Sequence, residues 1–312
     1  MIQISTSVGC KVMCSYCPQS PHIKAYRETV KGTGPYKMSL QTFITCIDKL
    51  PPKHPVCFAG FSEPFLNPQT VDMIEYCKSK RIRFDIYTTF VGLNIQQFER
   101  VMAANPFKIV VHLPDVEGYM KNPPSGKEYF EILNRLKTYI DRGYRIRMMC
   151  IGTPVPELIE GFGQIELSFP HITSRDNTNE ETNGHEYLDN KYKNADIKNG
   201  ISVERNYIGG PVGCKKSSGL RETHILPNGD VYACCQDWKL DLKICNLLTD
   251  SWDDHTKGRL KLFKQQLSNG PTKCHTCDFA KRIKFKENDT IDSIAQYLCD
   301  KSTYNKDRSK NN

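Results

Sequence analysis

Three thiols crowd the segment GCKVMCSYC, where Cys10, Cys14 and Cys17 fall within eight positions and no fourth cysteine stands nearby. Structural zinc takes four ligands, commonly as two CxxC-like pairs. Three thiolates in one loop instead suit three irons of a cubane [4Fe–4S] cluster and leave the fourth iron open. An open metal position is where chemistry is done. The plainer reading is three buried cysteines, or part of a zinc site. A second group lies in the carboxyl-terminal third: Cys214, Cys234, Cys235, Cys245, Cys274 and Cys277. Two thiols on a hairpin and two on a distant CxxC can close a complete site for zinc or for a [4Fe–4S] cluster.

The first cysteines must be positioned by the elements around them. From residue 2 to about 175, short β-branched runs alternate with segments of helical period. The strand candidates are Ile2–Ser5, Val56–Gly60, Arg83–Thr88, Lys108–Leu113, Arg145–Ile151 and Gln164–Phe169. Ser39 caps a helix with Phe43, Cys46, Ile47 and Leu50 on one face, Asn67-Pro68 reads as a cap and first helical residue, and Asn94 opens a third helix. A fourth starts near Ser125 and stops at Gly143. Repeated strand–helix units imply a parallel sheet covered by helices, and six of them make an α/β partial (β/α)6 TIM-like barrel. The Cys10–Cys17 loop then follows the first strand, at the carboxyl end where barrels place active sites.

Beyond Arg175 the texture changes. Residues 176–205 are a polar, Asn- and Asp-rich connection of the kind that is usually functional or mobile. RETHILPNGDVYACC reads as a β-hairpin, Glu222–Leu226 and Val231–Cys235, turning at Pro227–Asp230. This organises the chain as a barrel at 1–175, a small cysteine-rich domain at 206–285, and a Lys-rich, partly disordered tail at 286–312. Cys46, Cys57, Cys77 and Cys150 sit on expected core faces and are assigned to packing.

Bulk composition bounds the function. The chain has 312 residues, 38% hydrophobic and 25% charged, with a net charge of +8, and its mean hydropathy is −0.53. It is long enough for a sizeable core, and no apolar run approaches the ~20 residues of a spanning helix. MIQISTSVGC lacks a secretory pattern, so the expected location is cytoplasmic. In a reducing compartment, 14 cysteines read as metal ligands, catalytic groups or buried side chains rather than disulfides.

CxxxCxxC with an aromatic residue before its last cysteine, Tyr16 before Cys17, resembles the signature of the radical S-adenosylmethionine superfamily. The resemblance implies that Cys10, Cys14 and Cys17 hold a [4Fe–4S] cluster whose open iron is chelated by S-adenosylmethionine, with Tyr16 against the adenine. The cluster's electron then cleaves the sulfonium, and a 5′-deoxyadenosyl radical takes a hydrogen atom from substrate. FAGFSEPFLNP, after the second strand, resembles the family's glycine-rich motif, whose backbone binds the methionine amino group; Gly60, Phe61, Ser62 and Glu63 match, with Ser62 where glycine is common. YTTFVGLN is similar to the polar segment after the third strand. ITSRD is similar to a nucleoside-binding segment and points to Arg175. Cys214 followed by Gly229 and Cys234, then the closing CxxC, resembles the SPASM/twitch extension. In its shorter twitch form the resemblance implies one auxiliary [4Fe–4S] cluster on Cys214, Cys234, Cys274 and Cys277, with Cys235 or Cys245 as alternatives to Cys234.

A fully ligated second cluster can accept the electron left on a substrate radical, and twitch enzymes of aminoglycoside biosynthesis use theirs in this way. The implied function is therefore oxidation of a small polar metabolite, sugar- or cyclitol-like, with an external electron donor such as flavodoxin or ferredoxin. The alternative is a peptide-modifying enzyme. It is lowered by a first strand beginning at residue 2, which leaves no room for a leader-binding domain. RNA modification ranks third, since no aromatic-rich basic pattern accompanies the charge. From another class, the chain could be a non-catalytic Fe–S or zinc-binding module. Asp237, three residues past Cys234, is the candidate catalytic base, its alternative being a turn-forming residue. His112, at the end of the fourth strand, points toward the active mouth in one register, but a lone His on a strand is read as packing or structural.

Overall fold

The computed structural model describes residues 1–15, 17–160, 162, 165–168, 208–214, 223–235, 237–268, 272–277 and 280–303. Six strands, β1 (Ile2–Ile4), β2 (Val56–Phe58), β3 (Phe84–Thr88), β4 (Lys108–Leu113), β5 (Ile146–Ile151) and β6 (Ile165–Ser168), lie side by side in chain order. All neighbours among them are parallel, with Ile2 opposite Val56, Val56 opposite Phe84, Ile109 opposite Ile146 and Met148 opposite Ile165. Helices α1 (Gln19–Thr29), α2 (Leu40–Asp48), α3 (Thr70–Ser79), α4 (Ile95–Ala103), α5 (Lys127–Asp141) and the short α6 (Pro156–Ile159) fill the connections. This is the expected partial barrel. Phe58, Ile86 and Val111 from the strands meet Phe43, Ile74, Phe98 and Leu136 from the helices in one core, and Cys46, Cys77 and Cys150 pack there as expected. Cys57 is buried as well.

Two of the expected caps are present: the Ser39 side chain accepts from Thr42 N, and Asn94 forms a capping box with Gln97. Asn67 does something else, which corrects the sequence reading. α3 begins at Thr70 with Gln69 at its cap position. The Asn67 amide instead donates to Thr6 O (2.9 Å) and Met38 O (2.7 Å), and its Oδ1 accepts from Gln69 N. Two buried carbonyls from other segments claim the side chain, and leaving them unmade costs more than a cap gains.

The carboxyl-terminal strands do not stand apart from the barrel. β7 (Val212–Cys214), β8 (Thr223–Ile225), β9 (Asp230–Tyr232), β10 (Lys243–Asn246) and β11 (Ala280–Arg282) complete the described strands. β8 pairs parallel with β1, and β9 and β10 follow antiparallel, so the expected hairpin extends the main sheet to nine strands. Its turn needs glycine: Gly229 has φ +80°, and a Cβ there would meet Leu248 at 2.6 Å. β7 and β11 form a separate two-stranded sheet.

Helix α7 (Trp252–Leu267), capped by Ser251 with Asp254 in a capping box, covers this side. α8 (Ile291–Thr303) packs on it through Ala295 and Cys299 against Phe263 and Leu267. α8 lies within the stretch read as a tail. The Lys-rich composition there hides two buried positions, enough to dock a helix on a preformed neighbour. No described helix is long and apolar enough to cross a membrane.

Candidate active site

The loop after β1 is held from two sides. On one, Ser15 N donates to Tyr119 O (2.8 Å), Asn122 N to Val12 O (2.9 Å) and the Asn122 amide to Lys11 O (2.8 Å), while Cys14 bridges Met120. Asp115 fixes that supporting segment by accepting from Tyr119 N (2.7 Å) and Met120 N (3.1 Å). On the other side lies GFSEP. Ser62 Oγ donates to Gly9 O (2.8 Å) and lies 3.0 Å from Ser7 Oγ. Gln19 Nε2 donates to Phe61 O and contacts Cys17 Sγ. The serine in place of the common glycine thus ties the cysteine loop to the glycine-rich one.

Glu63 links that loop to the end of β3. Its buried carboxylate accepts from Thr88 Oγ1 (2.6 Å), Thr89 N (2.6 Å), Thr89 Oγ1 (2.9 Å) and Phe65 N (3.3 Å). Burial pushes the carboxyl above its ordinary range, and these four donors work against that rise.

One pocket gathers these segments: Cys10, Cys14, Cys17, Gly60, Phe61, Ser62, Glu63, Thr88, Thr89, His112 and Met120 all line it. It opens at the carboxyl ends of the parallel strands, as the fold class requires. Burial raises the Cys10 and Cys17 thiols, and Cys17 rises further through the charges of Cys14 and Cys10. Apolar surroundings and mutual repulsion disfavour three free thiolates; a cationic cluster would reverse both effects. Among the described residues, no three Cys, His, Asp or Glu side chains converge on a single metal ion. The three thiols do line one pocket, and they are the donor type and number that three irons of a cubane cluster take, so the residues present fit the group.

His112, read from sequence as packing, faces this pocket from the end of β4. Burial lowers its pKa to about 4, so the imidazole is neutral at physiological pH. The signal available in the sequence was its position at a strand's carboxyl end; the register decided its direction. Tyr16 and Arg175 lie outside the described residues.

Asp237, the candidate base near the second cysteine group, does not line this pocket. It is fully buried. One carboxylate oxygen accepts from Asp241 N (3.0 Å), the other from Leu242 N (2.7 Å), closing the loop that leaves β9. Both oxygens thus fasten a turn, with the side chain buried rather than at the surface.

The second cysteine group is drawn together in part by β7 and β11. Cys214 sits opposite Ala280. Cys274 and Cys277 are buried on a 3-10 turn, Lys273–Thr276, where Cys277 N donates to Cys274 O and Ala280 N to Cys277 O. His275 anchors this turn: Nδ1 accepts from Thr272 N (3.0 Å) and Nε2 donates to Gly210 O (2.9 Å), just ahead of β7. Cys234 borders the cluster of Ala233, Phe263 and Leu267, which also contacts Ile283 beyond β11. Cys245 belongs to the main core, where burial pushes its thiol up to about 12. Cys235 is half-buried beside Cys234.

Residues 214–278 match the SPASM iron–sulfur cluster-binding domain. Among solved structures, BtrN in complex with AdoMet and 2-DOIA aligns over 91% of this chain and 93% of its own, at 15% identity and TM-score 0.52. Streptococcus suis SuiB bound to precursor peptide SuiA aligns over 89% and 69%, at 12% identity and TM-score 0.51. Native anSMEcpe with bound AdoMet aligns over 96% and 96%, at 10% identity and TM-score 0.51. A search of curated protein sequences finds no match. At these identities the likenesses show a shared fold.

Proposed function

We propose that this chain, which joins a radical S-adenosylmethionine fold to a SPASM iron–sulfur segment, is an enzyme that removes a hydrogen atom from a small polar metabolite and delivers the remaining electron to a second cluster. The observation that carries the reading is the single pocket in which Cys10, Cys14 and Cys17 face the Gly60–Glu63 loop and the ends of β3 and β4. When bound, a [4Fe–4S] cluster and S-adenosylmethionine supply one-electron cleavage of the sulfonium and a carbon radical for hydrogen abstraction.

The chain's own residues supply binding, orientation and dryness. Cys10, Cys14 and Cys17 would hold the first cluster, and the main chain of Gly60, Phe61 and Ser62 would meet the methionine end of the cofactor. Glu63 keeps that main chain in register with Thr88 and Thr89. His112 offers a neutral imidazole able to accept or donate a hydrogen bond to a hydroxylated ligand. Tyr16 and Arg175 are proposed for the nucleoside. Cys214, Cys234, Cys274 and Cys277 would hold the auxiliary cluster, and an acidic one-electron carrier such as flavodoxin would feed the first.

The metabolite reading is supported by BtrN, whose complex contains 2-DOIA and which aligns along nearly the full length of both chains. A peptide substrate is the second reading, favoured by the likeness to SuiB with its precursor peptide. The test is anaerobic reconstitution, reduction and addition of S-adenosylmethionine. Formation of 5′-deoxyadenosine, abolished in Cys14→Ala, is expected. Absence of the nucleoside from iron-replete protein would leave a non-catalytic metal-binding module. Cyclitols and peptides offered in parallel, with deuterium transfer into the nucleoside as readout, separate the two substrate classes.

A further inference from the structure

The glycine-rich loop and the carboxyl-terminal module meet in a stack of rings that no cluster assignment uses. Phe61 lies against His224 of β8, with ring centroids 4.3 Å apart and planes 17° from parallel, and against His22 of α1 at 4.4 Å. Trp238 sets its edge on Phe61 at 4.7 Å and on His22 at 5.8 Å, and its carbonyl lies 3.3 Å from His22 Nδ1. Each ring comes from a different place. Phe61 follows β2, His22 lies on the helix after Cys17, His224 stands in the strand beside β1, and Trp238 rides the loop after Cys234 and Cys235.

Gly60 brings the stack up to the pocket wall. It has φ +121°, and a Cβ there would lie 2.1 Å from His224 Nε2, so the imidazole packs directly on the Gly60 main chain. His22 and His224 are fully buried. Among the described residues no protein group hydrogen-bonds either ring nitrogen of His224. What His224 contributes is therefore a flat surface and close contact. Burial holds both imidazoles neutral, with pKa values of about 4 for His22 and about 3 for His224.

We propose that the carboxyl-terminal module positions the reaction pocket: His224 and Trp238 are positioning residues that clamp Phe61 and thereby fix the Gly60–Ser62 main chain facing the Cys10–Cys17 loop. The loop between β2 and its following 3-10 turn has no regular structure of its own, so rigidity must come from its supports. Ser5 Oγ, accepting from Phe61 N at 3.1 Å, and Gln19 supply polar supports; the ring stack supplies the apolar one. The module that carries the second cysteine group is thus a structural part of the first site. The claim about loop position stands by itself, while its consequence for S-adenosylmethionine rests on the function proposed above.

The test is hydrogen exchange on the reconstituted full chain, read by mass spectrometry, with His224→Ala, His224→Asn and Trp238→Leu. Exchange across residues 60–63 is expected to rise about tenfold in His224→Ala, the size of effect a lost aromatic contact gives. The rise is smaller in His224→Asn, whose planar amide keeps part of the stack, while β4 and β5 exchange as in the wild type. Unchanged exchange at 60–63, or acceleration spread evenly through the sheet, overturns the proposal. Equilibrium dialysis with S-adenosylmethionine forms a second arm, at matched iron per chain: a tenfold weaker Kd in His224→Ala is expected. Wild-type protein that fails to bind the nucleotide would defeat the functional reading, and the exchange data would still judge the clamp.

Discussion

Replacing Asp237 by asparagine separates a catalytic base from a loop fastener. Both carboxylate oxygens of Asp237 accept from fixed backbone N–H groups, Asp241 N at 3.0 Å and Leu242 N at 2.7 Å, and the residue is fully buried. An amide has one acceptor. Whichever way the substituted side chain turns, one N–H loses its partner and faces an NH2 group instead. A lost charge-assisted bond plus an unsatisfied buried donor costs about 2–3 kcal/mol. In a chain of 312 residues that lowers the melting temperature by about 3–5 °C. Differential scanning fluorimetry under anaerobic conditions measures the shift, and S-adenosylmethionine cleavage measured well below the transition should stay within about threefold of wild type. Asp237→Asn melting with the wild type while losing turnover a hundredfold would refute this reasoning and return Asp237 to the chemistry.

Gly60→Ala drives a Cβ to within 2.1 Å of His224 Nε2 at a φ of +121°, so it is expected to cost several kcal/mol and at least tenfold in S-adenosylmethionine affinity, followed by dialysis. Ser62→Ala removes the bond to Gly9 O and should cost about 1 kcal/mol in thermal stability, with cleavage reduced less than threefold. His275→Ala frees the Cys274–Cys277 turn from Gly210 and Thr272; iron per chain should fall toward that of a single cluster, while cleavage by the first site persists. His22 and His54 are buried with pKa values lowered to about 4. Between there and the ~6.5 of an unfolded histidine the unfolded chain binds more protons. Their contribution to stability is therefore complete above pH 6.5 and is lost as pH falls toward 4. Melting temperatures should drop across that window, and His54→Gln should flatten the slope.

Local patterns in the chain carried much of the barrel. β-branched runs marked all six parallel strands to within about two residues, and the caps Ser39 and Asn94 announced their helices, because each rests on chemistry among near neighbours. α1 was not legible: it starts after Pro18 with no side-chain cap, carries Pro21 in its first turn, and its buried pair four residues apart, His22 and Tyr26, is polar rather than aliphatic. α8 was hidden by its charged surroundings.

Spacing alone brought Cys10, Cys14 and Cys17 under notice, since a metal loop is written in consecutive residues, and the glycine-rich segment followed only from the family resemblance. Tertiary structure decided the rest. It turned His112 into the pocket, claimed Asn67 for distant carbonyls, and joined β8 to β1 so that His224 came to lie behind Gly60. A sequence displays which groups are available, whereas the pairing of segments more than a hundred residues apart depends on burial and hydrogen-bond competition across the whole chain.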